Sequence, residues 1–151
     1  MDAQSEAKLR DVAPELSARV RSMAATLAAR GITIRVISGF RSYASQAALY
    51  ANRASNSNPV AVPGTSKHEK GHAVDVQIVG GGTWAQVGAV GEAQGLRWGG
   101  RFQKKDYPHF ELTGGAGVSD AGSLFNLEDG NAPLLIAVVF ALMLVAVVRR
   151  R

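Results

Sequence analysis

The chain has 151 residues, enough for one domain with its own core, and 46% of them are hydrophobic. The formal charge is +5, yet without the terminal Arg149, Arg150 and Arg151 only 14 basic residues (17 less 3) face 12 acidic ones. A near-neutral body excludes the clustered basic face of a nucleic-acid binder, and the absence of Cys excludes disulfides and thiolate metal sites, so a metal must be held by His, Asp or Glu.

The first residues, MDAQSEAKLRDVAPEL, lack the basic and apolar regions of a signal peptide. Leu9, Val12, Leu16, Val20, Met23 and Leu27 recur at spacings of three and four, which predicts one amphipathic helix over 5–30, stopped by Gly31. Ile32 to Val36 alternates as a strand does and leads through Ser38-Gly39-Phe40-Arg41-Ser42 into a second helix, about 43–54, carrying Gln46, Leu49 and Tyr50. Residues 55–66, with two Pro, one Gly and several Ser and Asn, read as a long loop. In 73–79, Val74, Val76 and Ile78 share one strand face, and Ala73, Asp75 and Gln77 the other. Thr83 and Gln86 form a capping box for a helix that ends at Gly95. His109-Phe110-Glu111-Leu112 reads as a final strand with Phe110 and Leu112 inward.

Three parts are expected: a catalytic domain over 1–113, a Gly/Ser/Asp-rich linker over 114–131 and an apolar helix over 132–151. The run from Pro133 to Val148 is unbroken apolar sequence without the polar face of a packed helix. Helical, it would extend roughly 24 Å against a hydrocarbon core of ~30 Å. A single membrane span through 133–148 is therefore expected, with the Arg cluster cytoplasmic and the enzyme on the cell-wall side. Nothing in the first residues directs export of that domain.

HEKGH, residues 68–72, matches H-E-x-x-H, in which two His one helical turn apart bind zinc. That site needs several turns of helix. Pro63 and Gly64 lie just upstream, Gly71 falls inside the motif, and a strand begins at Ala73, so no helix fits. A wider frame, Ser66-x-His68-x-x-Gly71-x-Ala73-x-Asp75, puts a loop His and a strand Asp on one metal. The remaining His outside HEKGH is His109, in Asp106-Tyr107-Pro108-His109-Phe110-Glu111-Leu112. Two His and one carboxylate leave the fourth tetrahedral position for water, as in catalytic zinc sites.

The frame S-x-H-x-x-G-x-A-x-D, followed by Trp98-Gly99-Gly100 and D-x-P-H-F-E, resembles the zinc D,D-carboxypeptidase and L-alanyl-D-glutamate endopeptidase family. Ser38-Gly39-Phe40-Arg41-Ser42 with Gln46 is similar to its S-G-[YF]-R-S-x-x-x-Q element. The resemblance covers about residues 5–113. It implies an α+β fold, a small antiparallel sheet with flanking helices shared with the hedgehog signalling domain, to which the expected C-terminal transmembrane helix is added. It implies one zinc ion on His68, Asp75 and His109, Asp106 as general base and Arg41 steadying the substrate carbonyl oxygen. Ser66, Gln46 and His72 are expected to support the site or face substrate, with Ser66 acting by a hydrogen bond. The blander alternatives are a surface turn for Asp106, a loop ion pair for Arg41 and a strand-end cap for Asp75. Glu69 and Glu111 receive no role, and Trp84 and Trp98 are expected in the core.

Within the family, carboxypeptidases usually carry Glu as the base and phage-type L-alanyl-D-glutamate endopeptidases usually carry Asp. Asp106 therefore favours an endopeptidase of the phage or prophage lysis type over a D-alanyl-D-alanine carboxypeptidase. A non-catalytic zinc-containing wall-binding module is the alternative of another class, and Arg41 and Asp106 speak against it. The expected partners are peptidoglycan stem peptides, the lipid bilayer and other phage lysis proteins. No nucleic acid is expected, and a monomer is.

Overall fold

The computed structural model describes residues 1–113. The chain opens with α1 (Ala3–Lys8), capped by Asp2, whose carboxylate accepts from the Ser5 amide at 2.8 Å. A second helix, α2 (Pro14–Ala28), follows, so the single helix expected over 5–30 is interrupted. Pro14 is the cause. It has no N–H to donate into a preceding turn, it disfavours helical backbone at Ala13 (ψ 135°), and it starts a new helix well. The apolar spacing runs through the break because Leu9, Val12 and Leu16 are all buried despite it.

Four strands form one sheet in the order β1-β2-β4-β3, with every neighbouring pair antiparallel: β1 (Thr33–Ser38), β2 (Ala73–Gly80), β3 (Leu96–Trp98) and β4 (His109–Leu112). Between β1 and β2 lies α3 (Tyr43–Ala51), shorter than expected because residues Arg53–Ser55 tighten into a separate 3-10 turn. Between β2 and β3 lies α4 (Trp84–Ala93), which begins with the reciprocal Thr83–Gln86 capping box.

One sheet face is apolar. Ile34 and Val36 of β1, Val74 and Val76 of β2 and Phe110 of β4 pack into a single cluster with Leu16, Val20, Met23 and Leu27 of α2 and Val87 and Val90 of α4. Phe110 is 0% exposed, and Leu112, expected inward, is half-buried against the same cluster. Trp98 is in this core and Trp84 packs on it. Asp75 of β2 and His109 and Glu111 of β4 face the other way, into a cavity of about 460 Å³.

The fold is thus α+β with a four-stranded antiparallel sheet. The expected transmembrane helix is corrected: among the described residues no helix is long and apolar enough to cross a membrane. The stretches 114–131 and 132–151, read as linker and span, lie outside the described residues.

Candidate metal centre and active site

Strand register brings the first two groups together. Asp75 of β2 pairs with His109 of β4, and directly opposed residues share a face. The His109 Nδ1 to Asp75 Oδ1 distance is 3.2 Å. The third group, His68, comes from the loop before β2. Its Nε2 lies 3.4 Å from Asp75 Oδ2. The HEKGH motif is not helical here. His68–Lys70 make one 3-10 turn, ended by Gly71 in the left-handed region at φ 66°. A side chain at Gly71 would be strained there and would press on the Asp11 carbonyl, 3.2 Å from the added carbon.

Each imidazole is fixed through its other nitrogen. His68 Nδ1 donates to the Gly39 carbonyl at 2.8 Å, which leaves Nε2 as the lone-pair nitrogen facing Asp75. His109 Nε2 lies 3.2 Å from Glu111 Oε2, and Glu111 is held in turn by Arg97 Nη1 at 3.1 Å. Glu111, which the sequence reading leaves unassigned, is therefore the residue that orients the His109 ring. The signal for it was present: His109 and Glu111 are two apart on one strand and so share a face. The Gly39 carbonyl, by contrast, is backbone and gives no side-chain signal at all.

The charges point to a cation. Burial disfavours ionisation of Asp75, but the surrounding imidazoles, His109 first among them, outweigh it and hold the carboxyl well below the usual range. Burial likewise opposes a charged His109, yet Asp75 and Glu111 raise its pKa to about 9. The group thus favours a positive charge between His109 and Asp75. Does the donor set fit zinc? Bonds of about 2.0–2.1 Å in a tetrahedron require ligand atoms about 3.3–3.4 Å apart. Each imidazole nitrogen lies near that spacing from one Asp75 oxygen, His109 Nδ1 at 3.2 Å from Oδ1 and His68 Nε2 at 3.4 Å from Oδ2, and one donor atom from each residue lies within 4.8 Å of the other two, close enough for a single ion to draw them in. Two imidazoles and a carboxylate are a common catalytic zinc set.

Around this centre the same cavity presents Asp106, Arg41, Gln46 and Ser66. Asp106 is half-buried, and burial together with the charge of Asp75 raises its pKa above the ordinary value. Its loop closes tightly on the Trp98-Gly99-Gly100 element. The Asp106 amide donates to the Gly99 carbonyl at 3.0 Å, and a side chain at Gly99 would run into the Asp106 carbonyl. Arg41 donates from Nη1 to Gln46 Oε1 at 2.7 Å and from Nη2 to Ser38 Oγ at 2.9 Å, and its Nη2 is 3.6 Å from Asp75. Gln46 is only 1% exposed and donates onward to the Ala61 carbonyl at 2.7 Å, so it fixes the guanidinium rather than greeting solvent. Ser66 Oγ accepts from the His68 amide at 3.3 Å. Glu69, also unassigned from sequence, clamps the loop by accepting from the Gly64 and Ser66 amides.

His72 is not brought into this group. It is half-buried, tied by its backbone to Lys67 and Leu112, and does not line the cavity. The physical reason is that the chain is already entering the strand at Ala73, so its neighbours alternate sides rather than stacking as on a helix.

An α+β scaffold with two imidazoles and a carboxylate around one point, a raised-pKa acid beside them and an anchored arginine 3.6 Å from that carboxylate has the makeup of a single-metal peptidase. The sequence model of the D-alanyl-D-alanine carboxypeptidase family, VanY, matches residues 9–98. The chain belongs to this family of peptidoglycan-acting peptidases. The chain is 29% identical over 123 residues to the peptidoglycan L-alanyl-D-glutamate endopeptidase CwlK of Bacillus subtilis, covering 68% of this chain and 74% of that protein. Among solved structures, the L-Ala D-Glu endopeptidase ChiX of Serratia marcescens is similar with a TM-score of 0.57 and 31% identity, over 75% of this chain and 89% of that one. The D,D-pentapeptidase VanY of a VanB-type resistance cassette, solved with Zn(II), shares the fold at a TM-score of 0.54 and 22% identity, over 68% of this chain and 73% of that one.

Proposed function

We propose that the protein is a zinc-dependent peptidoglycan peptidase that cleaves the bond between L-alanine and D-glutamate in wall stem peptides. The observation that carries the choice of bond is the 31% identity to ChiX across 89% of that endopeptidase. The likeness to CwlK and the aspartate at the base position support the same reading.

His68 Nε2, Asp75 and His109 Nδ1 would hold the metal, which when bound supplies a Lewis acid for the scissile carbonyl and brings the pKa of water to about 7. Asp106 then acts on the proton. Its carboxylate takes the proton from the attacking water and delivers it to the leaving amine nitrogen. Arg41 uses two of its nitrogens to grip Gln46 and Ser38, and the rest of its donor fork can meet the carbonyl oxygen as negative charge develops there. Because Gln46 and Ser38 hold the guanidinium in advance, little reorganisation is needed at that moment. The place of action is the cell wall.

Mass spectrometry of muropeptides after digestion of purified peptidoglycan tests this reading. New L-Ala carboxyl termini and D-Glu amino termini are the expected products. Release of terminal D-alanine alone would assign the chain to the carboxypeptidase reaction that names the family. A zinc-loaded protein that binds wall and releases nothing would make it a binding module.

A further inference from the structure

Apart from the two histidines the cavity wall contains two basic side chains, and they differ. Arg41 is engaged by Gln46, Ser38 and Asp75. Lys67 lines the same cavity, half-buried, and among the described residues its ammonium has neither an ion pair nor a hydrogen bond. The acids of the wall already have work: Asp75 and Glu111 face the two imidazoles, and Asp106 stands beside them. Lys67 is thus the wall's unspent positive charge.

Nor is it a lysine on a loose loop. Its carbonyl accepts from the His72 amide at 2.9 Å and the Lys70 amide at 3.2 Å. Glu69 ties down Gly64 and Ser66 on the other side. The next residue is the candidate ligand His68, buried and fixed by Gly39. The backbone of Lys67 is therefore set, and only its flexible stem is left to reach for a partner.

The substrate offers one. This step rests on the proposed L-alanyl–D-glutamate reading. In that linkage the chain continues through the side-chain carboxyl of D-glutamate, so the α-carboxyl is not consumed in the backbone. It is attached to the same carbon as the scissile nitrogen, and so it must lie close to the metal ligands when the bond is positioned. Conversion of this carboxyl to an amide would remove its charge. We propose that Lys67 forms an anion subsite for the α-carboxylate of the D-glutamyl residue, so that the enzyme distinguishes stem peptides with a free carboxyl from amidated ones. A charge-assisted hydrogen bond in a partly dry cleft is specific in this sense, because the amide neither carries the charge nor accepts as strongly.

The test uses the full-length, zinc-loaded protein and two synthetic stem peptides, identical except for an α-carboxylate or α-carboxamide on D-glutamate. For the unaltered protein kcat/KM should favour the acid by about tenfold or more, chiefly through KM. Lys67→Met, confirmed to hold one zinc per chain, should bring the two peptides to within about twofold, and Lys67→Arg should restore the preference. Equal rates in the unaltered protein, or a preference that survives Lys67→Met, would overturn the assignment to Lys67 while leaving the bond assignment intact. If neither peptide is cut between L-alanine and D-glutamate, the proposed function itself fails and the subsite falls with it.

Discussion

The two faces of the β2–β4 pair follow opposite rules. On one face Val74, Val76 and Phe110 join a cluster of apolar side chains from α2, α4 and all four strands. Contacts there are many and interchangeable, and removing one group leaves the others in place. On the other face Asp75, His109 and Glu111 stand in a line in which each has a named partner. Among the described residues no buried side-chain nitrogen or oxygen lacks a hydrogen bond. Such a network is high-stakes, since losing one member strands another in a dry place. Residues only one position apart thus answer to different physics, so a change on one face should disturb stability and a change on the other chemistry.

The strongest way to break that contrast is at His109. His109→Ala should abolish metal binding and turnover, while His72→Ala should leave the metal in place. Elemental analysis of the two purified variants checks this, and the reverse pattern would restore the helical H-E-x-x-H reading. Next in size is Asp106. Asp106→Ala should keep zinc and fold yet lose about 10²–10⁴-fold in peptide hydrolysis, the contribution of a general base. Activity within a few-fold of the parent would remove it from the mechanism. On the apolar face, Phe110→Ala should cost about 3–5 kcal/mol of stability. Its denaturant midpoint should fall while the folded variant still binds one zinc, and loss of zinc from a folded Phe110→Ala protein would show the faces to be coupled.

The smallest effect concerns protons. In the metal-free protein His109 is protonated up to a pKa of about 9, so a metal must displace that proton. Apparent zinc affinity should therefore rise by up to about tenfold per pH unit between pH 7 and 9 and flatten above that. Competition with a chelator at several pH values measures the slope. The sign for stability is opposite. A histidine whose pKa is raised on folding from 6.5 to about 9 stabilises the metal-free protein fully below pH 6.5, and that contribution is lost as pH rises through 9. A zinc affinity independent of pH would mean that His109 is already neutral without metal.

Much of this arrangement was legible in the sequence because it is written in side chains at fixed spacing. The alternation in 73–79, the capping box at Thr83 and Gln86, and the residues His68, Asp75 and His109 are all of that kind. The helix break was harder to see, since Leu9, Val12 and Leu16 keep helical spacing across it and only Pro14 signals the interruption. Glu111 was missed because a lone carboxylate near a strand end normally faces water, and only its pairing to His109 and Arg97 reveals a buried role. His72, expected to support the site or face substrate, does not line the cavity, because the turn that carries His68 runs straight into a strand. The apolar segment 133–148 was read from hydropathy alone, and hydropathy describes a solvent preference, not a place in this fold.

The break between the first two helices reaches further than the helices themselves. Ala13 donates its amide to the Gly71 carbonyl at 2.9 Å, and the backbone of 11–13 presses directly on Gly71. The opening residues of the chain therefore buttress the turn that carries His68, although they contribute no atom to the chemistry. For protein engineering this makes the amino terminus asymmetric in its tolerance. Met1 is 46% exposed, so a fusion partner or label can be added ahead of it. Trimming back to Pro14, which looks harmless on a map of motifs, would pull the wedge from under Gly71 and let the metal loop drift.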